Sequence, residues 1–173
     1  MAKTAPIILT AAMDAADFAW ADGLRRAHYP PERNIVPAHI TLFHHLPPSA
    51  EAELLGHMAR ICAGPAPAAG IGGVLHLGGG VAYRIESPEL IAIRNALADH
   101  FHGLLTPQDM ATPRLHITIQ NKGTADESRR LADRLRAEFR PRPIVIAGLS
   151  AWRYRDGPWE PIRTTPFRGR RGA

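Results

Sequence analysis

Pro37-Ala-His-Ile-Thr-Leu-Phe43 decides the fold, because the chain contains the centre of that stretch twice. At Arg114-Leu-His-Ile-Thr-Ile-Gln120 the same His-Ile-Thr-aliphatic unit returns, 77 positions further on. The first copy reads as a strand over residues 38–46, bounded by Pro37 and Pro47-Pro48, and the second as a strand over 115–121 that follows Pro113. On a strand alternate residues face the same way. His39, Thr41, Phe43 and His45 therefore share one face, with Ile40, Leu42 and His44 opposed. In the second copy His116, Thr118, Gln120 and Lys122 share a face, with Ile117, Ile119 and Asn121 on the other.

Outward from these strands the same order of elements recurs. An apolar run at 6–13 predicts a strand, and Asp14 a cap for a helix that Pro30-Pro31 stops. Ser49 is expected to cap a second helix carrying Leu54, Leu55, Met58, Ile61 and Cys62 on one face. A glycine- and proline-rich loop over 64–73 leads into a strand at 74–77, and Gly78-Gly-Gly80 turns the chain into a strand at 81–86. Ser87-Pro88-Glu89 starts a helix whose apolar stripe runs Leu90, Ile93, Leu97, Phe101, Leu104. After the second motif, Thr124 and Glu127 form a capping box, and a hairpin over 143–154 and 159–165 turns at Asp156-Gly157. Each half thus reads strand, helix, His-x-Thr strand, helix, hairpin. The expected fold class is α+β, a single bilobal domain over 1–173 with repeats at about 6–77 and 81–155, a last strand to about 166 and a basic tail at 168–173. Two such units predict a two-lobed protein with largely antiparallel sheets.

A net charge of +5, carried by arginine more than lysine, suits phosphate recognition but points only weakly to nucleic acid. No stretch approaches the roughly 20 apolar residues of a membrane span, and the N-terminus lacks the features of a signal peptide. A cytoplasmic protein, with no membrane partner and acting as a monomer, is expected. The single Cys62 reads as a buried small hydrophobe, and the tail after Phe167 as frayed.

If the two polar strips meet across a groove, the pocket holds two imidazoles and two hydroxyls. Near neutrality one imidazole can act as general base and the other, protonated, as general acid. The hydroxyls of Thr41 and Thr118 can donate to the non-bridging oxygens of a phosphate. Phe43 could stack on a base, and His45 could touch substrate at the rim. His44 reads as structural, while Tyr83, Arg84, Trp152 and Tyr154 are possible groove-lining residues. No helical His-Glu-x-x-His spacing occurs, so no metal and no cofactor are expected.

Two His-x-Thr-aliphatic motifs half a domain apart resemble the signature of the 2H phosphoesterase superfamily, most nearly its bacterial 2',5' RNA ligase members, which act as RNA 2',3'-cyclic phosphodiesterases. The resemblance spans Ile7 to Phe167. It implies two pseudo-symmetric lobes with outer helices and a central cleft that holds the phosphate without a metal, with His39 and His116 as the catalytic pair and Thr41 and Thr118 as phosphate ligands. RNA-directed members often carry a basic residue a few positions past the second motif; Asn121 and Lys122 stand there, and strand parity puts Lys122 on the cleft face. The expected activity is hydrolysis of a 2',3'-cyclic phosphate on RNA ends or nucleotides, with His116 as base and His39 as acid by analogy. The alternatives are 2',5' ligation and a non-catalytic nucleotide or RNA binder.

Overall fold

A computed structural model describes residues 5–171. Its elements run β1 (Ile7–Met13), α1 (Ala15–His28), β2 (Ile40–Leu46), α2 (Glu51–Cys62), β3 (Ala68–His76), β4 (Val81–Glu86), α3 (Pro88–His100), α4 (Pro107–Met110), β5 (His116–Gln120), α5 (Ala125–Glu138), β6 (Arg142–Arg153) and β7 (Glu160–Pro166). The helix starts follow their caps. Asp14 accepts from the Asp17 N–H at 2.8 Å, Ser87 from the Leu90 N–H at 3.1 Å, and Thr124 and Glu127 close the capping box. Ser49 does not cap α2; the two prolines before it begin a short 3-10 turn, and the helix takes Ala50 at its start.

Among the described residues the strands form one open, seven-stranded sheet in the order β2-β1-β6-β3-β4-β5, with β7 on β6. Every strand pair is antiparallel. The protein is α+β, as the alternation of strand and helix patterns predicts. β6 is long because it serves both ends of the sheet: Ile146 to Arg153 lie beside β1, while Arg142 to Val145 lie beside Ala68 to Ile71 of β3. The sets β2-β1-β6 and β5-β4-β3 repeat one arrangement, and β3 and β6 join them.

One face of the sheet is apolar and covered by helices. Ile7, Leu9, Ala11, Ile40, Leu149 and Ala151 are buried there at one end, and Ile117, Ile119, Tyr83 and Ile85 at the other. The first helix of each half reaches across to the opposite half. α1 lies against β5, and its Arg25 donates to the Thr118 carbonyl at 2.9 Å. From α3, Arg94 donates to the Leu42 carbonyl of β2 at 3.4 Å.

Three further expectations change. β3 begins at Ala68 rather than after Gly73, because pairing on both sides, to β4 and to β6, overrides the low strand propensity of its glycines. The stripe of α3 ends at Phe101; Gly103 takes a left-handed φ of 90°, Leu104 is exposed, and the chain makes the short α4 instead. The tail, where described, is tied down. Arg168 and Gly169 donate their N–H groups to the carbonyls of Cys62 and Gly64, and Arg171 pairs with Glu89. Residues 172 and 173 lie outside the described part. Among the described residues, no helix is long and apolar enough to cross a membrane.

Candidate active site

His39 sits one residue before β2 and His116 opens β5. These strands end the sheet path at opposite sides, and the sheet curls until they adjoin. The two histidines are held alike. Each ring nitrogen Nδ1 lies against the main-chain oxygen two residues back, Pro37 at 2.8 Å for His39 and Arg114 at 2.7 Å for His116. A carbonyl can only accept, so both Nδ1 atoms carry the proton and donate it. In each ring Nε2 is left to meet a ligand.

The surroundings differ. The His39 ring packs against Trp159 at 4.6 Å between centroids with the planes tilted by 57°, and Trp159 itself lies 6.2 Å from Trp152. Burial drives the His39 pKa down to about 4; its hydrogen bond to Pro37 opposes this, and the charges of Arg25, His116 and His44 add to it. His39 is therefore neutral at pH 7. Arg25, His116 and His44 thus lie near enough to His39 for their charges to act on its ring.

Register orients the threonines. Thr41 pairs with Thr10, on the face that carries Ser150 and Trp152, and Thr118 pairs with Ala82 next to the Arg84–His116 pair. Thr41 lines a pocket with His116, and both threonines are half-buried.

Past Thr41 the simple alternation fails. β2 bulges twice against β1: Thr10 pairs with Thr41 but Leu9 with Phe43, and Ile7 only with Leu46. Each extra residue reverses which face the following side chains take. Phe43 is consequently fully buried with the Arg94 guanidinium 4.5 Å over its ring, and is unavailable to a substrate. His44, expected on the opposite side, lines the pocket with Thr41 and His116. His45 is exposed, with its N–H on Asp109, and does not line that pocket. Lys122 lies beyond the end of β5 in a turn with φ of 61°, so strand parity does not reach it; it is exposed.

Two pockets flank the histidines. On the His39 side a cavity of about 260 Å³ is walled by Phe18, Ile35, Val36, Trp152 and Trp159, with Thr10 and Ser150 at its floor. On the His116 side one of about 240 Å³ is walled by Thr41, His44, Gln108, Thr112 and Arg114. No group of three His, Cys, Asp or Glu side chains that could hold a metal ion occurs among the described residues.

The sequence profile of the 2'-5' RNA ligase superfamily matches residues 13–158. The chain belongs to that superfamily. The resemblance carried by the doubled motif is thereby established at family level. Among solved structures, TT0787 of Thermus thermophilus aligns with a TM-score of 0.62 at 16% identity, over 96% of this chain and 100% of that one. Escherichia coli LigT complexed with 3'-AMP aligns at 0.60 and 16% identity, over 95% and 99%. LigT complexed with NADP+ aligns at 0.62 and 17%, over the same shares. At such identities they show a common fold. No curated protein matches the sequence.

In this superfamily member, motif spacing alone does not reveal Trp159, Arg25, His44 and Asp109. Trp159 follows the Asp156-Gly157 turn that brings β7 back beside β6, so its approach to His39 depends on a contact 120 positions away. A local signal for Asp109 exists: Thr106-Pro107 is a helix start, and Thr106 accepts from the Asp109 N–H at 3.4 Å. Of the hairpin residues considered, Trp152 lines the aromatic pocket, whereas Tyr83 is buried against Trp20.

Proposed function

We propose that the chain is a metal-independent phosphodiesterase that opens 2',3'-cyclic phosphates on RNA ends or nucleotides, working as one bilobal unit with His39 and His116 as its acid-base pair. The observation that carries the reading is the matched pair of imidazoles, each with Nδ1–H tied to a carbonyl two residues back and Nε2 left free, on adjoining strands of a 2'-5' RNA ligase superfamily chain.

A neutral His39 suits the base, which reverses the assignment made by analogy. His39 Nε2 takes a proton from water as the water oxygen attacks phosphorus. The bond from phosphorus to one ribose oxygen breaks, and His116 Nε2 protonates that oxygen as it leaves. Thr41 and Thr118 donate to the non-bridging oxygens, and a phosphate anion in the cleft favours one protonated imidazole beside it. The aromatic pocket receives the nucleobase, stacked against Trp159. With a 5'-hydroxyl in place of water as the attacking group, the same pair would open the cyclic phosphate by ligation.

Turnover of adenosine 2',3'-cyclic phosphate in excess EDTA is the test. His39→Ala and His116→Ala should each slow the chemical step by roughly 10² to 10⁴, the range for a positioned acid or base. No turnover by the folded wild-type protein, or near-normal rates in both variants, would sink the reading.

A further inference from the structure

The pocket on the His116 side differs in chemistry from the aromatic one. No carboxylate lines it, while His44 and Arg114 enter it beside His116 and Thr41. Arg114 is exposed, with no described carboxylate paired to it. His44 is there because the bulges of β2 turn it to that side, and the protein secures the position from the opposite half.

Asp109, 1% exposed, sends its carboxylate to the bulge. It accepts the His44 N–H at 2.9 and 3.1 Å, the His45 N–H at 2.8 Å and the His44 ring Nδ1–H at 3.2 Å. Burial pushes the Asp109 carboxyl up, but these bonds outweigh it and hold it below the usual range, so it is ionised. The main-chain bonds are enough to hold the bulge. The ring bond does something further: it fixes the imidazole with Nδ1 inward and leaves Nε2 for the pocket. Behind Asp109, Arg94 is 2% exposed and donates to the carbonyls of Leu42 and Asp109, which locks α4 onto β2. A strand bulge with no ligand to meet needs no oriented imidazole.

We propose that this pocket is a phosphate subsite, in which His44 and Arg114 receive the phosphate on the ribose 5'-oxygen of the nucleotide whose 2',3'-cyclic phosphate lies between His39 and His116. The inference rests on the cyclic phosphodiesterase reading. With Nδ1–H on the Asp109 carboxylate, His44 donates Nε2–H to a phosphate oxygen as the imidazolium, a form favoured by the carboxylate behind it and the phosphate in front. The Arg114 guanidinium donates beside it, and the pocket shares His116 and Thr41 with the reacting centre, so one nucleotide bridges both. That 5'-phosphate can be the monoester of a small nucleotide or the diester of an oligonucleotide.

Three substrates separate the cases: adenosine 2',3'-cyclic phosphate, the same compound with a 5'-phosphate, and a diadenylate ending in a 2',3'-cyclic phosphate. The wild-type protein should prefer the 5'-phosphorylated substrates by about tenfold in kcat/KM, mostly through KM. A preference shared by the diadenylate indicates an oligonucleotide substrate; one confined to the monoester indicates a small nucleotide. In His44→Ala and Arg114→Ala the preference should fall towards unity, and Asp109→Asn should weaken it. Arg129→Ala, on the exposed face of α5, should retain it and so control for general charge. Equal kcat/KM for all three substrates, or an unchanged preference in His44→Ala, overturns the subsite and leaves the phosphodiesterase reading standing. If no cyclic phosphate is turned over, that reading fails, and calorimetry decides the subsite alone. Adenosine 3',5'-bisphosphate should then bind the wild-type protein about tenfold more tightly than adenosine 3'-phosphate, and His44→Ala should bind the two alike. Equal binding by the wild-type protein rejects the subsite.

Discussion

A histidine with a pKa of about 4 is an unusual partner in a symmetric pair, and its cause is local. Burial disfavours the charged form of the ring, and Trp159, 4.6 Å away, is part of the wall that buries it. A base must be unprotonated, and the acidic limb of kcat/KM reports the base of the free enzyme. That limb should therefore fall near pH 4 rather than near the ordinary 6.5. Trp159→Ala readmits water, raises the His39 pKa and moves the limb towards neutrality; it also removes a stacking platform worth roughly 1 to 3 kcal/mol per base, so KM rises. Limbs at the same pH in both proteins would remove Trp159 from this role. That His39 and His116 are held alike was legible in the sequence, because His-Ile-Thr followed by an aliphatic residue recurs on matching strands. The difference in their surroundings was not, since it depends on Trp159 in the β6–β7 connection and Arg25 of α1.

At the scale of the element, β2 shows where sequence reasoning stops and why. Alternation correctly sets His39 and Thr41 apart from Ile40 and Leu42, and it holds as far as the first bulge. Beyond it Phe43 turns into the core and His44 towards the cleft, and no residue of Leu42-Phe-His-His-Leu46 announces the insertion. The bulge is imposed from outside, by Arg94 and Asp109. Arg94→Met should consequently act on β2 rather than on α3 alone. It leaves the carbonyls of Leu42 and Asp109 without their buried donor and removes the cation from the Phe43 ring, a loss of about 2 to 4 kcal/mol on the cost of unsatisfied buried groups. Urea unfolding measures it. A variant within about 0.5 kcal/mol of the wild-type protein, the usual range for an uninvolved surface site, would show that β2 keeps its bulges unaided.

For the whole molecule, the duplication does more than supply a second motif: each half holds the motif strand of the other. Arg94 of the second half grips β2, and Arg25 of the first half, 4% exposed, bonds the Thr118 carbonyl of β5 and the side chain of Asn34 at 2.8 Å. These ties link the two halves. Burial does most to lower the His39 pKa and the charge of Arg25 adds to it, so one side chain positions β5 and contributes to keeping His39 neutral. Replacing it separates the two effects. Arg25→Met removes both the bonds and the charge. Loss of a nearby positive charge makes protonation of His39 less unfavourable, so its pKa rises and the acidic limb of kcat/KM moves upward, while loosened β5 lowers kcat at every pH. Arg25→Lys restores the charge without the planar fork, and should return the limb towards its original position with kcat still reduced. A purely structural arginine would lower kcat in both variants and leave the limb where it was, and that outcome in a pH–rate series would separate the tie between the halves from the electrostatics of the site.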